Sequence, residues 1–220
     1  MLRAALITVV FLLFLGVCVF WPAGRIAWPM AWACLGVFAT LRAASFVVAN
    51  PDLLRERAAP GPGVDRTDVA LATLGFLGLY PGTLIVAGFD SGRSTLASIP
   101  LTVQVPALGI FALGYALVLW AVRVNPFFAT FVRIQSDRGH RLIDTGPYAW
   151  VRHPGYAGIL IAHIALPLAL GSLWALVPAL FGIGCFVLRT AHEDRFLSKH
   201  LNDYREYRER VPWRLLPGVW

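Results

Sequence analysis

The sequence predicts an all-α fold, a polytopic membrane helix bundle of about five or six spans. Three observations carry that expectation. Of the 220 residues, 58% are hydrophobic and only 14% charged, against about 45–50% and about 25% in an ordinary soluble domain. The apolar residues fall in long runs, several near the ~20 residues that cross a hydrocarbon layer as helix. The basic residues concentrate in alternate connections, as they do in membrane-inserted chains. A mean hydropathy of +0.66 leaves too little polar surface to coat a water-soluble globule, and no Gly/Ser/Glu-rich tract reads as disorder.

The elements follow in order. Residues 4–21 form an uninterrupted apolar run behind Arg3. It lacks a small-x-small cleavage site and a second apolar segment follows at once, so it reads as a retained first span. Trp21-Pro22-Ala23-Gly24 is a turn. Residues 26–49 are a second span, with Trp28 and Trp32 as interfacial anchors and Arg42 snorkelling near its end. Residues 50–68, rich in Pro, Gly and Arg, read as a loop. Residues 69–89 and 101–122 are the third and fourth spans, joined by a short polar connection. Residues 155–170 and 173–188 are two shorter apolar runs joined by Gly171-Ser172, which predicts a helical hairpin. Residues 192–210 read as a charged tail helix ending at Pro212. Two parts result: residues 1–122 with four spans, and residues 123–220 with a polar loop, the hairpin and the tail as one unit. Cys18, Cys34 and Cys185 lie in apolar stretches without CxxC spacing and read as small buried residues, not as a disulfide framework.

The net charge of +7 is a matter of placement. With six spans and a cytoplasmic amino terminus, every basic residue except Arg25 and Arg93 lies on the cytoplasmic side. Both termini, the loop of residues 123–153 and the tail then share that side. The charge is an orientation signal, with some contact to membrane lipids, and no nucleic-acid partner is expected.

The loop and the tail hold four of the five histidines and most of the acidic residues. Ionisable groups gathered at one end of a membrane bundle point to a site there. Histidine spacing gives no metal set: His192 and His200 stand eight apart with no second pair. His163 is the odd polar residue inside the fifth span. It shares a helical face with Tyr156, so it either lines a pocket or makes an interhelical hydrogen bond.

The order of residues adds a resemblance. Gly146-Pro147-Tyr148, then Arg152-His153-Pro154-Gly155-Tyr156-Ala157-Gly158, then Arg189-Thr190 with Glu193-Asp194, Tyr204-Arg205-Glu206-Tyr207 and Arg210-Val211-Pro212 stand in sequence. This resembles the isoprenylcysteine carboxyl methyltransferase family of integral membrane enzymes and its bacterial relatives. The likeness covers about the last hundred residues. It implies methyl transfer from S-adenosylmethionine to a lipophilic acceptor that enters from the bilayer, with no metal, at a cytoplasmic site of a bacterial inner membrane.

By that resemblance, the cofactor falls to Gln135, His140, Arg141, Leu142, Ile143, Tyr148, His153, Pro154, Gly155, Tyr156 and Glu193. The residues agree chemically. Pro154 suits a first helical turn, whose amides can meet a carboxylate. Tyr148 and Tyr156 can stack on adenine or face a sulfonium, and Glu193 can accept from an ammonium or ribose hydroxyls. Arg189 and Glu193 stand as the catalytic pair, and Arg189 with His163 as acceptor contacts. Gly182-Ile183-Gly184 reads as helix packing. The chain departs from the family in having Glu-Asp where two glutamates are usual, and Leu201 where a glycine is usual.

Two other readings remain open. Membrane sterol reductases carry a similar RHPxYxG segment and would use NADPH, although Ile159 stands where their acidic residue usually follows. A non-enzymatic scaffold would show no polar cluster converging on one cavity.

Overall fold

A computed structural model describes residues 2–58, 62–91 and 99–220. Arg93 lies outside the described residues, as does the side chain of Arg3. The described residues are helical and loop, without strands. Among the described residues, five helices are long and apolar enough to cross a membrane: α1 (Leu2–Ala23), α2 (Pro29–Val48), the run from Arg66 to Asp90, α6 (Leu101–Val124) and α8 (Leu176–His200). A sixth, α7 (Pro154–Ala169), has 16 residues, about 24 Å at 1.5 Å per residue. The chain is a multi-pass membrane protein.

The short helix and the joint behave as expected. Gly171, with φ +74°, turns the chain from α7 into α8, a conformation that glycine adopts without a Cβ penalty. Ser172 Oγ donates to Asp90 Oδ2 at 2.6 Å, tying this hairpin to the end of the third span.

Three expectations are corrected. The loop of residues 50–68 contains a helix, α3 (Pro51–Ala58). Asn50 Oδ1 accepts from the amides of Asp52 and Leu53 at 2.7 and 3.3 Å, and Pro51 occupies the first helical position, so Asn-Pro-Asp is a helix start. Leu53 is fully buried and docks α3 on Ala49 and Val122. The third span begins earlier, as α4 (Arg66–Leu77), with Asp65 Oδ1 capping the amide of Asp68 at 2.8 Å. It passes through a π-helical turn, Gly78–Gly82, into α5 (Thr83–Asp90). Pro81 has no N–H to donate in that turn, and Thr83 Oγ1 donates to the Gly78 carbonyl at 2.9 Å. The tail helix is not separate. Nothing breaks the helix between Leu188 and His192, so α8 runs on to His200. The chain reverses at Asp203, φ 63°, into α9 (Tyr204–Arg210).

Small residues set the closest contacts. A Cβ on Gly158 of α7 would fall 2.4 Å from the Gly114 carbonyl of α6. A Cβ on Gly182 of α8 would fall 2.8 Å from the Gly75 carbonyl of α4, whereas Gly184 faces open space. Of the Gly182-Ile183-Gly184 pair, only Gly182 packs a neighbouring helix. Trp28 is buried in the core rather than interfacial, while Trp32 stays exposed. Arg42 lies between the rings of Phe11 and Phe46, with Nε buried and unpartnered among the described residues. The three cysteines are free and buried.

Candidate active site at the end of the bundle

The start of α4, the end of α6, the start of α7 and the second half of α8 come together at the loop of residues 125–153, and α3 is tied to that loop. Arg57 Nε and Nη2 donate to the Phe128 carbonyl at 3.1 and 2.9 Å. Arg133, its side chain buried, makes a two-pronged pair with Glu56 at 2.7 Å for each bond and reaches Asp137 at 2.7 Å. Such paired forks fix geometry more surely than they add stability.

Inside the loop, Gln135 is 1% exposed. Its Nε2 donates to the Phe127 carbonyl at 2.8 Å, and its Oε1 accepts from Arg138. Gly139, φ +64°, turns the chain so that His140 Nδ1 accepts the Gln135 amide at 3.2 Å. The imidazole stacks on Phe127 with centroids 4.7 Å apart. Burial, aided by the positive charges of Arg133 and Arg138, lowers the His140 pKa to about 4. The ring is therefore neutral at physiological pH, with Nδ1 as acceptor.

Tyr148 is buried, and its carbonyl accepts from the Tyr207 hydroxyl at 2.7 Å. Its own hydroxyl lies beside Asn125 and has no partner at strict hydrogen-bond geometry among the described residues. Burial pushes its pKa up, so it keeps its proton as a donor.

A second cluster pins loop and tail to α8. Asp194, with a side chain 1% exposed, accepts from Arg152 at 2.7 and 3.2 Å, from the Tyr204 hydroxyl at 2.9 Å and from Arg214 at 3.1 Å. The amides of Arg152 and His153 donate to the carbonyls of Trp213 and Arg214, each at 2.9 Å. The tail thus lies against the start of α7.

The adjacent Glu193 faces the other way. Its Oε2 accepts from the Tyr156 hydroxyl at 2.5 Å. The His153 ring lies parallel to Tyr156, 5.8 Å between centroids. The Arg189 guanidinium sits 5.1 Å from the Tyr156 ring centroid. It is held by Asp68, Nε to Oδ1 at 2.6 Å and Nη2 to Oδ2 at 3.0 Å, and donates to the Thr130 carbonyl at 2.6 Å.

One pocket is lined by Gln135, His140, Arg141, Leu142, Ile143, Tyr148, His153, Tyr156, Arg189 and Glu193, together with Asn125, Phe127, Phe128, Phe131, Leu197, Leu201, Tyr204 and Tyr207. Pro154 and Gly155 are buried at the start of α7 but are not among the lining residues. Phe128 covers Gly155, where an added Cβ would fall 2.5 Å from the ring. His163 is not among them either. It is fully buried in the bundle, its ring against Tyr80 and Tyr115, with Nδ1 on the Ile159 carbonyl at 2.9 Å and Nε2 unpartnered among the described residues. Its hydrogen bond is within its own helix, not between helices.

Sequence reasoning missed Glu56, Asp68 and the role of Asp194. The family motif flags Asp194 only as the second acid of a pair. No local pattern marks Glu56 or Asp68, whose partners lie 77 and 121 residues away.

The segment that carries most of these residues is similar to known proteins. The chain is 34% identical over 116 residues to the Protein-S-isoprenylcysteine O-methyltransferase of Schizosaccharomyces pombe, covering 50% of this chain and 48% of that protein. It is 34% identical over 99 residues to a Delta(14)-sterol reductase of Mus musculus, covering 44% and 24%. It is 30% identical over 103 residues to the Lamin-B receptor of Drosophila melanogaster, covering 44% and 14%. The aligned part spans less than half the length of each of these relatives. Residues 103–204 match the family model for phospholipid methyltransferase. Through that segment, from the start of α6 to the start of α9, the chain is similar to phospholipid methyltransferases.

Proposed function

We propose that the protein is an integral-membrane methyltransferase that moves a methyl group from S-adenosylmethionine to a lipophilic acceptor. The observation that carries this is the pocket itself, where polar groups left without partners converge beside apolar walls inside the family-matched segment. The Tyr148 hydroxyl, beside Asn125, is a buried donor without a well-aligned acceptor among the described residues. Glu193 spends one oxygen on Tyr156 and keeps Oε1 without a partner among the described residues. These groups fit the cofactor.

Glu193 would hold the ammonium or ribose hydroxyls, Arg141 and His153 the carboxylate end, and Leu142 and Ile143 the adenine. When bound, S-adenosylmethionine supplies a methyl group already activated on a positively charged sulfur. The chain's own task is alignment and exclusion of water. The Tyr148 and Tyr156 rings present π-faces that favour a cation. The tail, pinned through Asp194, shields the site from the aqueous side. Leu197, Leu201 and Phe131 give the pocket an apolar flank for a lipid chain. The concentration of basic residues at this end of the bundle supports a cytoplasmic orientation for the site and both termini.

A second reading is an NADPH-dependent reductase, favoured by the similarity to the Delta(14)-sterol reductase over the same half of the chain. Purified protein in nanodiscs, given tritiated-methyl S-adenosylmethionine and a bacterial lipid extract, should transfer label to the lipid fraction. Consumption of NADPH with a sterol dienone, without label transfer, would establish the reductase instead.

A further inference from the structure

The helices before the family-matched segment are tied to it by ion pairs. Three carboxylates of α3 and the start of α4 reach into the family-matched segment: Glu56 to Arg133, Asp65 to His192 at 2.9 Å, and Asp68 to Arg189. The third pair bears on the acceptor, and this inference rests on the methyltransferase reading above. We propose that Asp68 sets the acceptor preference by neutralising Arg189, so that the acceptor end of the pocket takes an uncharged hydroxyl rather than a carboxylate.

Asp68 is fully buried and Arg189 is 5% exposed. Asp68 takes both prongs of the guanidinium and also accepts the Val132 amide at 2.8 Å. Thr130 takes a further hydrogen of Nη2. Only Nη1 is left without a partner among the described residues. A carboxylate arriving there would meet a pair that is already neutral. It would also lie within one helical turn of Glu193, four residues along α8. Two carboxylates sharing a site of low dielectric repel strongly. A hydroxyl meets no such repulsion, and its oxygen can accept from Nη1.

A second observation concerns the proton. A carboxylate acceptor has none to lose, whereas a hydroxyl must lose one on methylation. Tyr156 and Glu193, hydrogen-bonded at 2.5 Å, form a route for it. The acceptor oxygen bonds to the methyl carbon through a lone pair. The sulfur keeps the electron pair of the broken carbon–sulfur bond and becomes a neutral thioether. Tyr156 takes the hydroxyl proton as it gives its own to Glu193, which ends as a neutral acid. Charge and atoms balance: one sulfonium and one carboxylate are consumed, one thioether and one carboxylic acid formed.

The test uses the full chain in uncharged phosphatidylcholine nanodiscs, with two probes sharing a farnesyl chain, S-farnesylthioacetic acid and 2-(farnesylthio)ethanol. Their affinities are read by displacement of a fluorescent farnesyl analogue near neutral pH, with S-adenosylmethionine binding measured separately. The wild type should bind the alcohol at least about tenfold more tightly than the acid, and Asp68→Asn should shift that ratio at least about tenfold toward the acid. Equal binding, preference of the wild type for the acid, or a folded Asp68→Asn protein with an unchanged ratio would overturn the proposal. If Asp68→Asn does not fold, the wild-type ratio decides alone. Wild-type protein that binds no S-adenosylmethionine would instead overturn the methyltransferase reading.

Discussion

Arg152 lays its guanidinium along the carboxylate of Asp194, with bonds of 2.7 and 3.2 Å between side chains 3% and 1% exposed. Arg152 belongs to the loop before α7, and Asp194 to the polar end of α8. Arg214 of the tail and Tyr204 of α9 close on the same carboxylate. Two neighbouring acids therefore divide the work. Asp194 assembles the roof of the pocket, while Glu193, one position earlier on the helix, faces into it.

That division predicts opposite phenotypes. Asp194→Ala leaves buried arginines uncompensated and should cost about 3–5 kcal/mol of stability. Glu193→Gln keeps the fold and should weaken S-adenosylmethionine binding about tenfold, the loss of a charged hydrogen bond. Thermal melting in detergent and calorimetric titration separate the two. Equal melting temperatures for both variants would refute the assignment.

Tyr148→Phe removes a buried hydroxyl that has no well-aligned partner among the described residues. Stability should hold or rise by up to about 1 kcal/mol, since an unsatisfied buried donor carries a penalty. Cofactor affinity should fall about fivefold, roughly the worth of one neutral hydrogen bond. A drop in melting temperature without a change in affinity would show that the hydroxyl serves the fold.

His140 predicts a pH dependence. Its pKa is lowered to about 4 in the fold, chiefly by burial, from an ordinary 6.5. Between these values the unfolded chain takes up a proton that the folded loop refuses, so stability is full above about pH 6.5 and falls as pH drops toward 4. Protonation would also cost Nδ1 its hydrogen bond from the Gln135 amide. The melting temperature of the wild type should therefore fall more steeply over this window than that of His140→Asn. Parallel profiles would show that other groups set the dependence.

Helix packing offers a further check. Gly158→Ala places a methyl group against the Gly114 carbonyl, and backbone on both sides has little room to give. It should cost roughly 1–3 kcal/mol. Gly184→Ala, facing open space, should change stability by no more than about 0.5 kcal/mol. Melting curves of the two variants in one detergent make the comparison.

Much of this was legible in the sequence, for physical reasons. Apolar runs of bilayer length announce themselves, and Gly171-Ser172 marks the hairpin because a tight joint needs a left-handed residue. The lining residues from Gln135 to Tyr156, with Arg189 and Glu193, sit in one ordered motif. What escaped was mostly tertiary. The helix of residues 51–58 is short and polar, so hydropathy hides it, although Asn50-Pro51-Asp52 is a cap that local rules could have read. Asp68 looks like a helix-start acid until α4 packs on α8 and brings it to Arg189. The face of His163 was correct, but sharing a face with Tyr156 did not carry it into the pocket. Two further turns of α7 place it among Tyr80 and Tyr115 instead.

The central claim is that this pocket holds S-adenosylmethionine. Isothermal titration of the full chain in nanodiscs tests it most directly. Saturable binding at one cofactor per chain, strongly weakened by Glu193→Gln in protein that melts like the wild type, is the predicted result. No binding of S-adenosylmethionine, with saturable binding of NADPH to the same preparation, would contradict it.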